Sequence, residues 1–300
     1  MLIKAPAKIN LTLRVLSKRA DGYHEISSLM RAIRLFDEVE IALVGGVGET
    51  PGSLDLRVRT DMPGVPEGPG NLAYRAAELM LGMHPGHYNH INISIKKNIP
   101  MAAGLAGGSA DAAAVLLGLS GELAPGAGLA DIASWGAELG MDIPFCVYAC
   151  AAANPALGYT GVGAMLAGGA GELLTPADAQ GKAYVVLVKP QLEVSTKQIY
   201  ELHDIRKGSA YVSDNDLEAP CAEAWPTVAG LLRAMKMICA EEGADGVKVQ
   251  LSGSGPTVFA YFPCEPFDGG YEAMVGAARK VCERARLAFP GMFVRLTETI

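Results

Sequence analysis

The stretch Pro100-Met101-Ala102-Ala103-Gly104-Leu105-Ala106-Gly107-Gly108-Ser109-Ala110-Asp111 lies between two patterns of different period. Before it, Ile91, Ile93 and Ile95 alternate as in a half-buried strand; after it, Ala112-Ala113-Ala114-Val115-Leu116-Leu117 reads as a helix. A strand, a glycine-rich loop and a helix start present main-chain N–H groups and the positive end of a helix dipole to an anion. Small residues let that backbone come close to a phosphate. The P-loop pattern needs Lys and then Ser or Thr after its last glycine, whereas Ser109-Ala110 follow Gly108, and the stretch contains no G-x-G-x-x-G. Taken alone it is also readable as a plain turn between strand and helix.

The chain has 300 residues, enough for a sizeable core and for two medium domains. It is 50% hydrophobic and 19% charged, as a globular protein is. Its net charge of −7 argues against nucleic acid as a partner but leaves room for a local anion site. The six cysteines, Cys146, Cys150, Cys221, Cys239, Cys264 and Cys282, form no C-x-x-C pair, and Lys4 and Pro6 fall where a secretory leader would be apolar. Reduced thiols and a cytoplasmic location are therefore expected. Cys146 and Cys150 lack the neighbouring His or second pair that a zinc site needs. From Ile143 to Gly171 no residue is charged, but Pro144, Asn154, Pro155 and the glycines from Gly158 onward interrupt the run. It is expected to be buried strand and loop rather than a membrane span.

At the N-terminus Ala5, Ala7, Ile9, Leu11, Leu13 and Val15 share one strand face, which leaves Lys8 and Asn10 side by side on the other. The turn signal Asp21-Gly22 places Tyr23 and His24 directly after it, an aromatic ring and an imidazole suited to stacking on and hydrogen bonding a planar heterocycle. Alternating runs at 39–43 and 54–58 suit an antiparallel sheet, and Asn71 reads as the N-cap of a helix through Met80 with Leu72, Ala76, Leu79 and Met80 inward. Helices are expected to about Leu119 and over 129–139. Asp142, in the apolar run Gly140-Met141-Asp142-Ile143-Pro144-Phe145, either caps a turn or is a functional carboxylate; in the second case it needs a cation, and Lys8 is the obvious partner.

Past Gly168-Gly169-Ala170-Gly171-Glu172 the expected order is strand 183–189, helix 195–202 capped by Ser195, helix 225–241, strands 247–251 and 258–262, helix 271–287 and strand 293–298. This order suits an α+β sandwich. A second glycine turn, Ser252-Gly253-Ser254-Gly255, links the middle strands.

These motifs in this order resemble the small-molecule kinase superfamily named for galactokinase, homoserine kinase, mevalonate kinase and phosphomevalonate kinase. The shared parts are a Lys-bearing first strand, a Pro-x-x-x-Gly-Leu-x-Gly-Gly-Ser loop and a C-terminal Gly-Ser-Gly turn. Ala5-Pro6-Ala7-Lys8-Ile9-Asn10-Leu11, Lys18-Arg19-Ala20-Asp21-Gly22-Tyr23-His24 and Asp214-Asn215-Asp216-Leu217-Glu218 are similar to the branch acting on a cytidylylated methylerythritol in non-mevalonate isoprenoid biosynthesis. The resemblance covers nearly the whole chain. It implies an α+β, two-domain fold: an N-terminal ribosomal-protein-S5-domain-2-like domain over 1–165, a C-terminal ferredoxin-like sandwich over 166–300, and an active site in the cleft between them.

For function, the resemblance implies ATP-dependent phosphorylation of a hydroxyl, with ATP and Mg²⁺ as cofactors, in a monomer or homodimer without nucleic-acid or membrane partners. Asp142 would be the general base and Lys8 would hold it ionised. Pro100, Met101, Ala102, Ala103, Gly104, Leu105, Ala106, Gly107, Gly108, Ser109 and Ala110 would cradle the phosphates, Asn71 and Leu72 would line the adenine, and Ser252 and Gly253 would close over the site. Asn10, Tyr23 and His24 would bind the cytidylylated substrate, with Asp142 at its hydroxyl and Tyr200 sandwiching the base from the other side. No Lys or Arg occurs from Asn98 through Ala110, so backbone, dipole and Mg²⁺ would carry the neutralisation. Ser109 and Asp111 are the possible Mg²⁺ ligands, Asp111 also being readable as a helix cap.

Three departures from the family pattern stand out. Ala106 and Ala110 stand where Gly and Ser are frequent, and the apolar passage Ala149–Val162 is longer than usual. The alternatives are a homoserine or mevalonate kinase of the same superfamily, or a catalytically silent nucleotide-binding relative.

Overall fold

The computed structural model describes residues 1–45, 55–85, 88, 90–177, 181–206, 213–244, 246–264 and 270–300, the side chain of Tyr271 excepted. The expected strand start at Leu54 lies outside the described residues. Two long strands, β1 (Leu2–Lys18) and β2 (His24–Val44), pair antiparallel from Leu2↔Glu40 to Lys18↔His24. The turn between them contains Gly22 at φ +88°, and the Asp21 carboxylate accepts from the Tyr23 N–H at 3.0 Å.

The first sheet grows around β2. It adds β3 (Asp55–Thr60), β4 (His90–Lys96), β5 (Ala164–Gly168) and β6 (Leu173–Pro176) in the order β3-β4-β2-β5-β6, with β1 on β2. The β3–β4 pair is parallel, unlike the antiparallel arrangement its alternation suggested. The reason is the crossover: α1 (Leu72–Met83) lies between the two strands in sequence, and a β-α-β unit returns the chain in the same direction. Asn71 caps α1, accepting from Ala73 N at 2.8 Å; Ala76 and Met80 are buried as expected, Leu72 and Leu79 only partly.

Against this sheet pack α2 (Gly107–Leu123), α3 (Leu129–Ala137) and α4 (Ile143–Ala153). Helix α4 corrects the expectation of strand and loop from Ile143 onward. Pro144 falls in its first turn, where a missing N–H costs nothing, alanines continue it, and the glycines come only after it ends. Helix α4 is apolar all round, and α2 is apolar over most of its middle, because both are enclosed, not because they meet lipid. Among the described residues no helix is long and apolar enough to cross a membrane. The long passage 149–162 is the second half of α4, a 3₁₀ turn at Pro155–Leu157 and the approach to β5.

The second sheet, β7 (Ala183–Lys189), β8 (Lys248–Leu251), β9 (Val258–Pro263) and β10 (Phe293–Glu298), runs β10-β7-β9-β8 with every pair antiparallel, the ferredoxin-like order. It carries α5 (Thr196–Ile205), α6 (Glu218–Ala224), α7 (Pro226–Glu241) and α8 (Gly270–Ala288); α6 was not expected. In α7, Val228, Leu231, Leu232, Met235 and Ile238 are buried, as their spacing requires. The expected domain division at 165/166 falls inside β5, whose hydrogen bonds run to β2 and β6. We propose the division between Pro176 and Ala183, where the chain leaves one sheet for the other. The two halves share an apolar seam: Ala7, Ile9, Leu11, Ile33 and Leu35 of the first sheet meet Val185, Leu187 and Phe259 of the second.

Gly161 fixes how tightly the passage after α4 lies on that helix. A Cβ there would collide with the main chain of Tyr148 and Ala152, which cannot move as a side-chain tip can. Gly161→Ala is expected to cost about 3 kcal/mol, the upper end for overpacking, read as a lowered midpoint in denaturant unfolding.

Candidate active site

Between the two halves lies a cleft of about 1050 Å³. Lys8 and Asp142 form its floor. Lys8 comes from the polar face of β1, and its side chain is 5% exposed, because Gln250 and Gly253 of the second half cover that face. Its Nζ stands 3.6 Å from Asp142 Oδ2 and donates to Asn10 Oδ1 at 2.8 Å. Asn10 in turn donates to Ser28 Oγ at 2.8 Å, and Ser28 to the Thr12 carbonyl at 2.7 Å, so the ammonium is held by a chain rooted in the β1–β2 pair. Asp142 occupies the N-cap of α4 but makes no capping hydrogen bond. Its carboxylate is therefore left for Lys8, beside the positive end of the helix.

The glycine-rich loop forms one wall. Lys8 N–H donates to Leu105 O at 3.1 Å, which ties the loop to the floor. Ala102 and Ala106 adopt left-handed backbone, at φ 47° and 58°, at about 1–2 kcal/mol each. Of the expected cradle, Leu105 and Ala110 are packed in the cores rather than lining the cleft; the other residues from Pro100 to Ser109 line it. Asn71 and Leu72 line it too, although Asn71 spends its amide on the helix cap and on Pro66 O.

The third motif meets the loop from the second half. Gly253 lines the cleft and comes so close to Lys8 that a Cβ there would stand 3.5 Å from Nζ. Ser252 is buried and donates to Gly104 O at 3.0 Å, so its hydroxyl braces the loop instead of facing a ligand. A Cβ on Gly104 would collide with the Ser252 carbonyl, and φ there is +71°. The segment 214–218 supports this turn: Asn215 donates to Leu251 O and Gly253 O, and Glu218 accepts from Leu251 N.

The far end of the cleft is aromatic. Tyr23 is exposed; His24 is buried, donating from Nε2 to Asp204 Oδ1 at 2.7 Å. Lys18, at 2.6 Å, holds the Asp204 carboxyl below the usual carboxylate range. His24 and Tyr200 stack on each other with ring centroids 4.8 Å apart, which leaves no space for a base between them. Tyr23, His24 and Tyr200 all line this end of the cleft. Burial pushes the Tyr200 phenol up.

One group escaped the sequence reading. Lys97 Nζ is buried behind the loop, bonded to Asp37 Oδ2 and, at 2.6 Å, to Asp111 Oδ2. Burial pushes the Asp111 carboxyl up, to about 7. The signal was present in the alternation. Asp37 continues the inward set Ile33, Leu35, Val39, Ile41, and Lys97 continues Ile91, Ile93, Ile95. Asp111 does not cap α2; with one oxygen on Lys97, only its buried Oδ1 has no partner. No three His, Cys, Asp or Glu converge as metal ligands among the described residues. All six cysteines are free.

Residues 71–150 match the family model described as the GHMP kinases N terminal domain. The chain is 37% identical over 297 residues to a 4-diphosphocytidyl-2-C-methyl-D-erythritol kinase of Geobacter metallireducens, covering 94% of each chain. A kinase of the same name from Geobacillus thermodenitrificans is 38% identical, covering 86% of each. A solved structure of a 4-(cytidine 5'-diphospho)-2C-methyl-D-erythritol kinase superposes with a TM-score of 0.71 at 29% identity over the full length of both chains. Mevalonate kinase of Methanococcus jannaschii shares the fold, with a TM-score of 0.64 at 11% identity, covering 100% of this chain and 98% of that one. With a paired Lys8 and Asp142 between a glycine loop and an aromatic pocket, and with relatives of this likeness along nearly its whole length, the chain belongs to the 4-diphosphocytidyl-2-C-methyl-D-erythritol kinase family.

Proposed function

We propose that the protein uses ATP to phosphorylate the 2-hydroxyl of 4-diphosphocytidyl-2-C-methyl-D-erythritol, giving the 2-phosphate and ADP. The observation that carries this reading is the Lys8–Asp142 pair at 3.6 Å on the floor of a cleft with a phosphate-sized glycine loop at one side and stacking aromatics at the other. Asp142 accepts the proton of the hydroxyl as that oxygen attacks the γ-phosphorus and the bond to the β,γ-bridging oxygen breaks. Lys8 orients the carboxylate, and Asn10 fixes Lys8. The N–H groups at the start of α2 face the phosphates.

Mg²⁺, when bound with the nucleotide, neutralises phosphate charge. Such an ion would need few protein ligands, and Ser109 and the unpartnered Asp111 Oδ1 are the donors that would hold it. Position 110 is enclosed in the core, so the hydroxyl that Ala110 lacks would not have faced the cleft. This reading describes a cytoplasmic enzyme, a monomer or homodimer, that meets two small molecules.

ADP release is expected with the cytidylylated substrate and not with mevalonate or homoserine; turnover of mevalonate alone would sink the assignment. Asp142→Asn is expected to lower kcat by about 10³ while calorimetry shows an ATP analogue still bound. Tyr200→Ala is expected to raise KM for the cytidylylated substrate by about tenfold to a hundredfold, the worth of one base stack, with KM for ATP unchanged.

A further inference from the structure

Lys97, Asp37 and Asp111 join three segments: the exit of β4, the central strand β2 and the second turn of α2. Asp37 lies inside β2, fully buried. Its Oδ1 accepts from the N–H groups of Asn98 and Ile99 at 2.6 and 2.8 Å, the residues that lead into the glycine loop, and its Oδ2 takes Lys97. The other side of Lys97 Nζ goes to Asp111, in the second turn of α2, where the loop ends. The start of the loop 100–110 is therefore tied directly to the central strand of the sheet by Asp37, and its end is tied to the same carboxylate through one ammonium. The ammonium also lies directly behind the loop: a Cβ on Gly107 would stand 3.4 Å from it.

Such a tie has work to do. Ala102 and Ala106 hold left-handed backbone that L-residues leave readily. A loop free at one end would relax there and carry the first N–H groups of α2 with it. The charges do not favour a purely stabilising role, since two buried carboxylates share one cation and a neutral, well-packed trio would do as well for the fold.

We propose that Lys97 and Asp111 are positioning residues for the reaction. Clamped by Asp37, they hold the loop 100–110 and the N–H groups of Gly107 and Gly108 in the shape that receives the triphosphate. This rests on the reading of that loop as the ATP site. In the clamp Asp111 acts through Oδ2, which accepts from Lys97, whereas a metal role of Oδ1 would rest on its charge, and the two separate on substitution by asparagine.

The test compares Asp111→Ala, Asp111→Asn and Lys97→Met in the full-length protein. Asp111→Ala leaves a balanced Lys97–Asp37 pair, so the fold should persist while the helix end of the tie is cut. The expected result is a rise of about tenfold or more in KM for ATP, with KM for the cytidylylated substrate within about twofold. Amide exchange over 98–111 should quicken while that of α8 does not. Asp111→Asn keeps an oxygen that accepts from Lys97 and should recover most of the ATP affinity; Lys97→Met should lose it as Asp111→Ala does. An Asparagine variant as impaired as the alanine one would overturn the clamp, as would unchanged ATP affinity and exchange in Asp111→Ala. If Lys97→Met does not fold, the Ala and Asn pair decides alone. Binding of a non-hydrolysable ATP analogue, followed by calorimetry, gives the same comparison without turnover; an enzyme that binds it but ignores the cytidylylated substrate would fail the substrate assignment and leave the clamp standing.

Discussion

An ammonium enclosed in protein must meet a carboxylate and fill its donor positions, and the cleft is arranged around that requirement at Lys8. The β1–β2 pair supplies Asn10 and, through Ser28, fixes the amide. The start of α4 supplies Asp142, free of any capping duty. The second half supplies the cover: Gln250 donates to the Asn10 carbonyl at 2.8 Å, and Gly253 lies over Lys8, where a Cβ would come within 3.5 Å of Nζ. The catalytic pair thus draws on three segments that only the assembled fold brings together. The apolar seam between the sheets is what keeps them in register.

The glycine loop depends on the same assembly. Its first half is wedged by the third motif at Gly104, where two carbonyls leave no room for a side chain. Its centre is tied to Lys8 by the Leu105 carbonyl. The loop is thus fixed from both halves, while the spacing between the N–H groups opening α2 and Asp142 at the start of α4 follows from the packing of those two helices in the first core. The glycine at 104 is there for close approach, whereas the alanines at 102 and 106 are strained residues kept in place by neighbours.

Much of this was readable in the chain. Alternation located β1, the last part of β2 and β4, capping chemistry located the start of α1, and helical spacing located the buried face of α7, because each depends on local period and local hydrogen bonding. Lys8 and Asp142 were paired in expectation by charge alone. The failures share a physical cause. A helix that is apolar all round has no amphipathic period to report, so α4 passed for strand and loop. Strand direction is set by the crossover, not by the strand, which hid the parallel β3–β4 pair. A charged residue in an inward position looks like an error in the pattern until its partner is seen; Asp37 and Lys97 each broke an apolar stripe, and together they complete one another.

The departures from the family's loop pattern bear on whether the chain is a working enzyme. Loss of a hydroxyl at 110 would suggest a silent relative only if that position faced the nucleotide, and it is enclosed against α4, where Cys150 Sγ approaches the Ala110 carbonyl at 3.7 Å. Ala106 in place of glycine adds about 1–2 kcal/mol of backbone strain, but it packs its methyl against the first core, which offsets part of that cost. Neither change touches the Lys8–Asp142 pair, the N–H groups opening α2 or the aromatic end. A chain drifting toward silence has no reason to keep a buried ammonium, because an unused buried charge is a standing liability to the fold. A buried Lys8 held by Asn10 and Ser28 and aimed at Asp142 is accounted for by chemistry at the cleft better than by binding alone.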